Sequence, residues 1–450
     1  MPQPALDVES NAERTFSTLR VLLVPDSIHW ITGTIARSIV AYNEWIEGTI
    51  ISGHVLDIVA GDNPHFFDAF DLVHFVCPYA SRKWLPVLGD LLPCVTSHHH
   101  VSDDWELQRH NLAGDAIIVG SQQWANDVAE RGASPERIVC VPYGVDASRF
   151  LPPSSDERHA TRQALGISDK SVVVGFFAKK SSNEQDRKGT DVFASAVQQL
   201  HRMLPSLVIL IIGPGWDELL DHLSNAGINC IWRPFVRDAA DMPKMYQALD
   251  FYWVTARVEG GPVTLLEAMS TALCCITTPV GLAREIVESG ANGVIVPLND
   301  ANAFAVQTAH FALATKERTA LGAAARDTIL QTMDVPVTAR KVRIAYEVAL
   351  AHFRGRNSTP HEHREYGEHA RHRAVLSPSL LARVSMLEQL TWAEALMLQG
   401  QRPLAFRLIF ESWGKYPFST LPPRFLLRNA LPERLVRAIV RVKLGVAGVR

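Results

Sequence analysis

Residues 251–297 constrain this 450-residue chain more than any other stretch. An apolar run, Phe251-Tyr252-Trp253-Val254, has the length and composition of a buried strand, and it stops in a polar turn. Glu259 opens that turn, Gly260, Gly261 and Pro262 follow, and Glu267 stands eight residues beyond Glu259. Two glycines let a ligand come close to the backbone, and Pro262 suits a first helical turn, where its missing N–H costs nothing. Glu259 is therefore expected in the loop and Glu267 near the second turn of the following helix. A helix starting there aims its free N–H groups and dipole end at the space beside Glu259. That space suits an anionic ligand that also carries hydroxyls.

The same strand-then-helix pattern recurs along the chain. Strand-like runs at 20–25, 55–59, 72–76 and 94–96 lie in the first half, and 113–121 and 137–150 add two more joined by an amphipathic stretch. A Pro-, Ser- and charge-rich segment around 151–162 reads as a linker, after which strands at 172–178, 207–213 and 230–235 alternate with helices. Such alternation implies parallel sheets covered by helices on both faces. A chain of this length exceeds one core, so two α/β domains are expected at 1–155 and 165–355, then a charged, His-rich linker at 356–377 and a helical tail at 378–450.

Composition removes several classes of function. A formal net charge of −3 gives no support to nucleic-acid binding by the chain as a whole. The six cysteines lack C-x-x-C spacing and mostly lie in apolar runs, which fits buried thiols in a reducing compartment. No run of eighteen apolar residues occurs, so a cytoplasmic location is expected. The turn after the first strand has no G-x-G-x-x-G, which argues against a dinucleotide oxidoreductase.

Ligands of open α/β sheets collect at the carboxyl ends of strands, and those turns supply the other candidates. After the first strand, the loop at 26–33 offers Trp30, Thr32 and Gly33, with a helix expected over 34–45. The run at 94–96 ends in Ser97, His98, His99 and His100, and consecutive strand residues point to opposite sides, which makes a three-histidine metal site a poor fit. Lys179, Lys180, Arg187 and Lys188 crowd the loop after the strand at 172–178, either as a solvated loop or as a cradle for phosphates.

Three word groups carry a resemblance to a known family: Glu259 to Pro262 with Leu265 to Met269 and Thr278 to Gly281; Pro142, Gly144, Val145, Asp146 and Phe150; and Lys188-Gly189. In these the chain resembles the retaining nucleotide-sugar glycosyltransferases of the family-four (group 1) type. The resemblance implies the GT-B fold, two facing Rossmann-like domains, here with a C-terminal helical appendage. It implies that Glu259 contacts hydroxyls of the donor sugar, that Glu267 takes the ribose hydroxyls, and that a base sits near Val236. It also implies that His98, in its Thr96-Ser97-His98 setting, approaches the donor sugar at the reaction centre. The family's phosphate loop reads G-R then K-G; Lys188-Gly189 matches the second half, but no arginine follows Gly175, so Lys179 or Lys180 would stand in. Lysine is the weaker bidentate partner for phosphate. The resemblance ends near residue 355.

The tail from Pro423 onward is basic, with Arg424, Arg428, Arg434, Arg437, Arg441, Lys443 and Arg450 against Glu433 alone. A helix lying on an anionic membrane surface through 423–450 and a helix docked on its own domain both fit this pattern.

The expected function is transfer of a sugar, of hexose type, from a nucleotide diphosphate donor to an acceptor hydroxyl with retention at the anomeric carbon. The donor is a co-substrate, and no cofactor or metal is expected. Catalysis would fall to His98, Glu259 and Lys188, with the donor held by Gly33, Lys179, Lys180, Arg187, Val236, Gly260, Gly261, Pro262 and Glu267. The rivals are a non-catalytic glycosyltransferase-like subunit acting through a partner and a GT-B phosphorylase. Sugar, base and acceptor are not specified by the sequence.

Overall fold

The apolar runs become the strands of two parallel sheets. The computed structural model describes residues 18–61, 63, 65–99, 109–180, 186–234, 241–356, 376–398, 401–416, 419 and 421. Six strands, β1 (Leu19–Val24), β2 (Ile46–Ile50), β3 (Leu72–Phe75), β4 (Cys94–His98), β5 (Ala116–Val119) and β6 (Ile138–Cys140), form the first sheet in the order β2-β1-β3-β4-β5-β6. The second comprises β7 (Val172–Phe177), β8 (Leu207–Ile212), β9 (Asn229–Arg233), β10 (Phe251–Val254), β11 (Cys274–Thr277) and β12 (Val294–Ile295), in the order β12-β11-β10-β7-β8-β9. Every described strand pairing in both sheets is parallel. Central strands read as unbroken apolar runs because both faces are covered: every residue of β8 and of β10 is buried. Each such side chain contributes about 1.5–3 kcal/mol of transfer free energy.

The chain divides into two compact units, one of Met1–Val40, Glu44–Trp84 and Ser358–Arg450, the other of Ala41–Asn43 and Leu85–Asn357. In the first, the helices Pro378–Leu398 and Arg402–Lys415 pair through Met386, Leu390, Ala393, Ala405 and Ile409. The first of them reaches the helix Gly53–Gly61, where Glu388 accepts from the Ser52 backbone N–H at 2.6 Å, and its Trp392 stacks on His29 at 4.9 Å. In the second unit, the helix Val342–Arg356 packs on β4, β5 and β6. It is tied there by His352 and Arg356, which reach the buried Asp115 at 2.9 and 2.8 Å.

Two local expectations are corrected. Residues 55–59 lie in the helix Gly53–Gly61, not in a strand; Val55, Leu56, Val59 and Ala60 are buried at helical spacing, and the strand is Ile46–Ile50. The first helix runs over Ile31–Ala41, so Gly33 belongs to its first turn and not to the loop. A side chain at Gly33 would meet the Ile28 carbonyl at 2.4 Å, so a packing constraint accounts for the glycine.

Among the described residues no helix is long and apolar enough to cross a membrane. The basic segment 423–450 and most of the His-rich stretch, 357–375, lie outside the described residues.

Candidate functional site

The second sheet reverses its strand order between β7 and β10, and the turns that leave their carboxyl ends are those holding Lys188 and Glu259. Such a switch point is where open α/β sheets bind ligands. The Lys188 ammonium donates to Glu259 Oε1, and both side chains keep some exposure, 29% and 18%. A cation and a carboxylate thus meet at the mouth of the crevice, with the helix Val263–Ser270 starting just behind them.

The Lys188 turn is fixed mainly by residues that follow β10. Thr255 Oγ1 donates to the Lys188 carbonyl at 2.8 Å, and the Arg257 backbone N–H donates to the Arg187 carbonyl at 2.7 Å. The Arg257 guanidinium forks onto Asp191 at 2.8 and 2.7 Å and reaches the Asp186 carboxylate at 3.2 Å. That fork holds the Asp191 carboxyl down at about 2. Asp186 in turn accepts from the backbone N–H groups of Thr190 and Asp191, which satisfies the start of the helix Thr190–Met203. Gly189 takes the left-handed conformation, φ +63°, with the Thr255 carbonyl where a side chain would be.

The glutamate turn is held just as tightly. The Trp124 indole N–H donates to the carbonyls of Glu259 and Gly260 at 3.1 and 3.2 Å. A Cβ on Gly260 would lie 1.5 Å from the His99 carbonyl oxygen, and one on Gly261 would lie 2.8 Å from the Tyr143 ring. Gly281, φ +47°, leaves room for the carbonyls of Glu259 and Gly260. The two glycines of the turn therefore admit the protein's own backbone and aromatic ring on that side. Tyr143 also meets His99 Nδ1 through its hydroxyl, and burial pushes its pKa far above the usual range, so it stays neutral. Glu285 accepts from the backbone N–H groups of Gln122 and Gln123 at 2.7 and 3.3 Å, at the start of the helix that carries Trp124.

Of the residues singled out by sequence, Glu259, Lys188, Gly260, Gly261 and Pro262 come together. His98 ends β4 and is 1% exposed, whereas the neighbouring His99 is the one that packs on the Gly260 turn. Lys180 pairs with Glu218 at 2.9 Å, and its backbone N–H donates to the Pro214 carbonyl. Lys179 follows Ala178, whose carbonyl accepts from the Trp216 indole at 2.7 Å. Gly33 lies in the other compact unit. Val236 falls outside the described residues, as do 181–185 of the cationic loop. Glu267 sits one helical turn into Val263–Ser270, with the Tyr246 hydroxyl on its carboxylate, and burial raises it to about 7. Among the described residues no cluster of three His, Cys, Asp or Glu side chains could hold a metal ion.

Sequence reasoning passed over Trp124, Tyr143, Thr255, Arg257, Asp186, Asp191 and Tyr246. Only Tyr143 had a local signal, as the residue enclosed by Pro142 and Gly144. The rest act across 60 residues or more, or sit in helices with no distinctive pattern.

Comparison with known proteins agrees with this geometry. Residues 171–312 match the glycosyl transferases group 1 family. The lipopolysaccharide core biosynthesis mannosyltransferase LpsB of Rhizobium meliloti is 28% identical over 217 residues, 46% of this chain and 59% of that protein. The D-inositol 3-phosphate glycosyltransferase of Saccharomonospora viridis is 28% identical over 254 residues, 54% of this chain and 57% of its own length. The chain thus spans little more than half the length of these relatives. Among solved structures, Anabaena HepE in complex with UDP and glucose superposes with a TM-score of 0.59 at 17% identity, over 74% of this chain and 99% of HepE. Sucrose-phosphate synthase from Thermosynechococcus elongatus gives 0.59 at 15% identity, with coverage of 74% and 99%. The protein therefore has the GT-B fold, and its residues 171–312, with the second sheet and the Lys188–Glu259 pair, match the glycosyl transferases group 1 family.

Proposed function

We propose that this protein transfers a sugar from a nucleoside diphosphate donor to an acceptor hydroxyl, with retention at the anomeric carbon, in the building of a glycolipid or polysaccharide. The observation that carries the reading is the Lys188–Glu259 pair at the switch point, with Glu267 one helix segment away. In the reaction, negative charge grows on the leaving diphosphate while positive charge grows on the sugar ring. Lys188 and the free N–H groups opening the helix Val263–Ser270 stabilise the former. A bound diphosphate takes Lys188 from Glu259 and leaves that carboxylate to accept from the sugar hydroxyls. The ion pair of the ligand-free protein thus holds both groups in place before the donor arrives. Glu267 receives the ribose hydroxyls, and His98, which ends β4, borders the sugar. Retention follows the family resemblance, and no side chain is assigned as nucleophile. A sugar acceptor on a lipid or a growing glycan is supported by the likeness to the lipopolysaccharide core mannosyltransferase LpsB, and membrane contact through the basic segment 423–450 belongs to the same proposal.

The test is a thermal-shift panel of nucleoside diphosphates and their sugars, followed by transfer assays. A ligand at a hundred times its Kd stabilises the folded state by about 2.7 kcal/mol. One nucleotide series should raise the melting temperature of the wild type and fail to do so for Lys188→Ala, while Glu259→Ala keeps nucleotide binding and loses transfer. Absence of any shift would shift the reading to a non-catalytic subunit.

A further inference from the structure

Tyr246 stands behind Glu267. It lies on the helix Met242–Gln247, is 0% exposed, and its hydroxyl donates to Glu267 Oε2 at 2.5 Å. Its ring is locked by Phe177, Tyr252 and Phe150, at centroid distances of 4.7, 5.6 and 5.6 Å. The hydroxyl cannot leave the carboxylate without opening this aromatic cluster. Glu267 is only partly buried, and its second oxygen accepts from no described residue, so Oε1 is the one left to a ligand.

We propose that Tyr246 is a positioning residue for nucleotide recognition: by donating to Oε2 it holds Glu267 turned so that Oε1 accepts from a ribose hydroxyl of the nucleoside diphosphate. This rests on the reading of Glu267 as the ribose contact. A hydrogen bond to a carboxylate favours its charged form, and burial opposes it. Both act here, since burial pushes Glu267 up while the Tyr246 hydroxyl and the Arg149 charge pull it down, leaving it at about 7. The other groups facing the site hold their charge through this range. Burial raises Tyr246, Tyr252 and Cys275 well above neutrality, so all three stay uncharged. Between pH 6 and 8 the proton that comes and goes in this cluster is that of Glu267. A locked donor on one oxygen also fixes which carboxylate lone pairs face outward, and this pre-organises the contact with a vicinal diol.

The experiment is calorimetric titration of the full chain with UDP, GDP and their 2′,3′-dideoxy counterparts at about pH 6, 7 and 8. Subtracting the dideoxy result removes the titration of the phosphates. Wild-type preference for the ribonucleotide should grow severalfold from pH 6 to 8. Tyr246→Phe should reduce that preference about tenfold at pH 7, recover part of it at pH 8, and leave dideoxynucleotide binding unchanged. Equal weakening of both ligands, or an unchanged preference, would overturn the role of Tyr246. Glu267→Gln separates the two levels. If it abolishes the preference while Tyr246→Phe keeps it, only the positioning role falls; if it too keeps the preference, the ribose reading of Glu267 falls as well. A wild type that binds neither nucleotide refutes both.

Discussion

Removing the charge of Glu267 should stabilise the ligand-free protein, and by an amount that depends on pH. Burial raises this carboxyl from its ordinary 4.5 to about 7 in the folded chain, more than the Tyr246 hydrogen bond and Arg149 can offset. The folded state therefore holds a proton that the unfolded chain releases. Between about pH 4.5 and about pH 7, stability falls as pH rises, by ~1.4 kcal/mol per unit, and above pH 7 it is level. The whole difference is about 3 kcal/mol. Glutamine in place of Glu267 still accepts from Tyr246 and carries no charge, so it lacks this slope. Glu267→Gln should match the wild type near pH 4.5 and exceed it by about 3 kcal/mol at pH 8, which for a cooperative unit of ordinary size is a gain of roughly 5–10 °C in Tm. Thermal unfolding of both proteins across pH 4.5–8, without nucleotide, measures the difference directly. A variant that is less stable than the wild type at pH 8, or a gap that does not change with pH, would show that the carboxylate is paid for by solvation the geometry does not reveal. Under the proposed ribose contact, a diol donating to the charged carboxylate would recover this cost on binding.

Two further perturbations test the scaffold of the site. Asp250, 10% exposed at its side chain, binds Arg158 and Arg162 at 2.7 Å each, and Arg162 is itself 2% exposed. Asp250→Ala leaves a buried guanidinium without its carboxylate and should cost about 3–5 kcal/mol in urea unfolding. Gly260→Ala would place a methyl group 1.5 Å from the His99 carbonyl oxygen, a backbone atom that cannot swing aside. The turn carrying Glu259 must then move, so transfer should fall by more than tenfold with a stability loss of about 1–3 kcal/mol, read by parallel kinetics and melting.

How much of this was legible in the sequence depends on whether one segment could satisfy itself. The strand Phe251–Val254, the turn after it and the helix Val263–Ser270 are set by neighbours within a few residues, so their order was readable, and so were the buried runs of β1 and β8. Residues 55–59 failed because a pentapeptide with four apolar residues fits either period, and only the burial of Val55, Leu56, Val59 and Ala60 on one helical face decides between them. The site shows the same limit at longer range. Glu259 and Lys188 announce themselves by local words, but the groups that hold them do not: Trp124 reaches a carbonyl 135 residues away, and Arg257 organises a turn 66 to 71 residues earlier. Nothing in the local pattern of Tyr246 separates it from the other core aromatics. Its partner is assigned only when the sheet order sets β10 beside β7 and brings the helix Met242–Gln247 against the helix that carries Glu267. The reacting groups of such a fold are therefore readable from turn chemistry, whereas the residues that set their charge and direction become visible only through topology. On the proposed reading, that second set decides whether Glu267 is a carboxylate or a carboxylic acid when a nucleotide arrives.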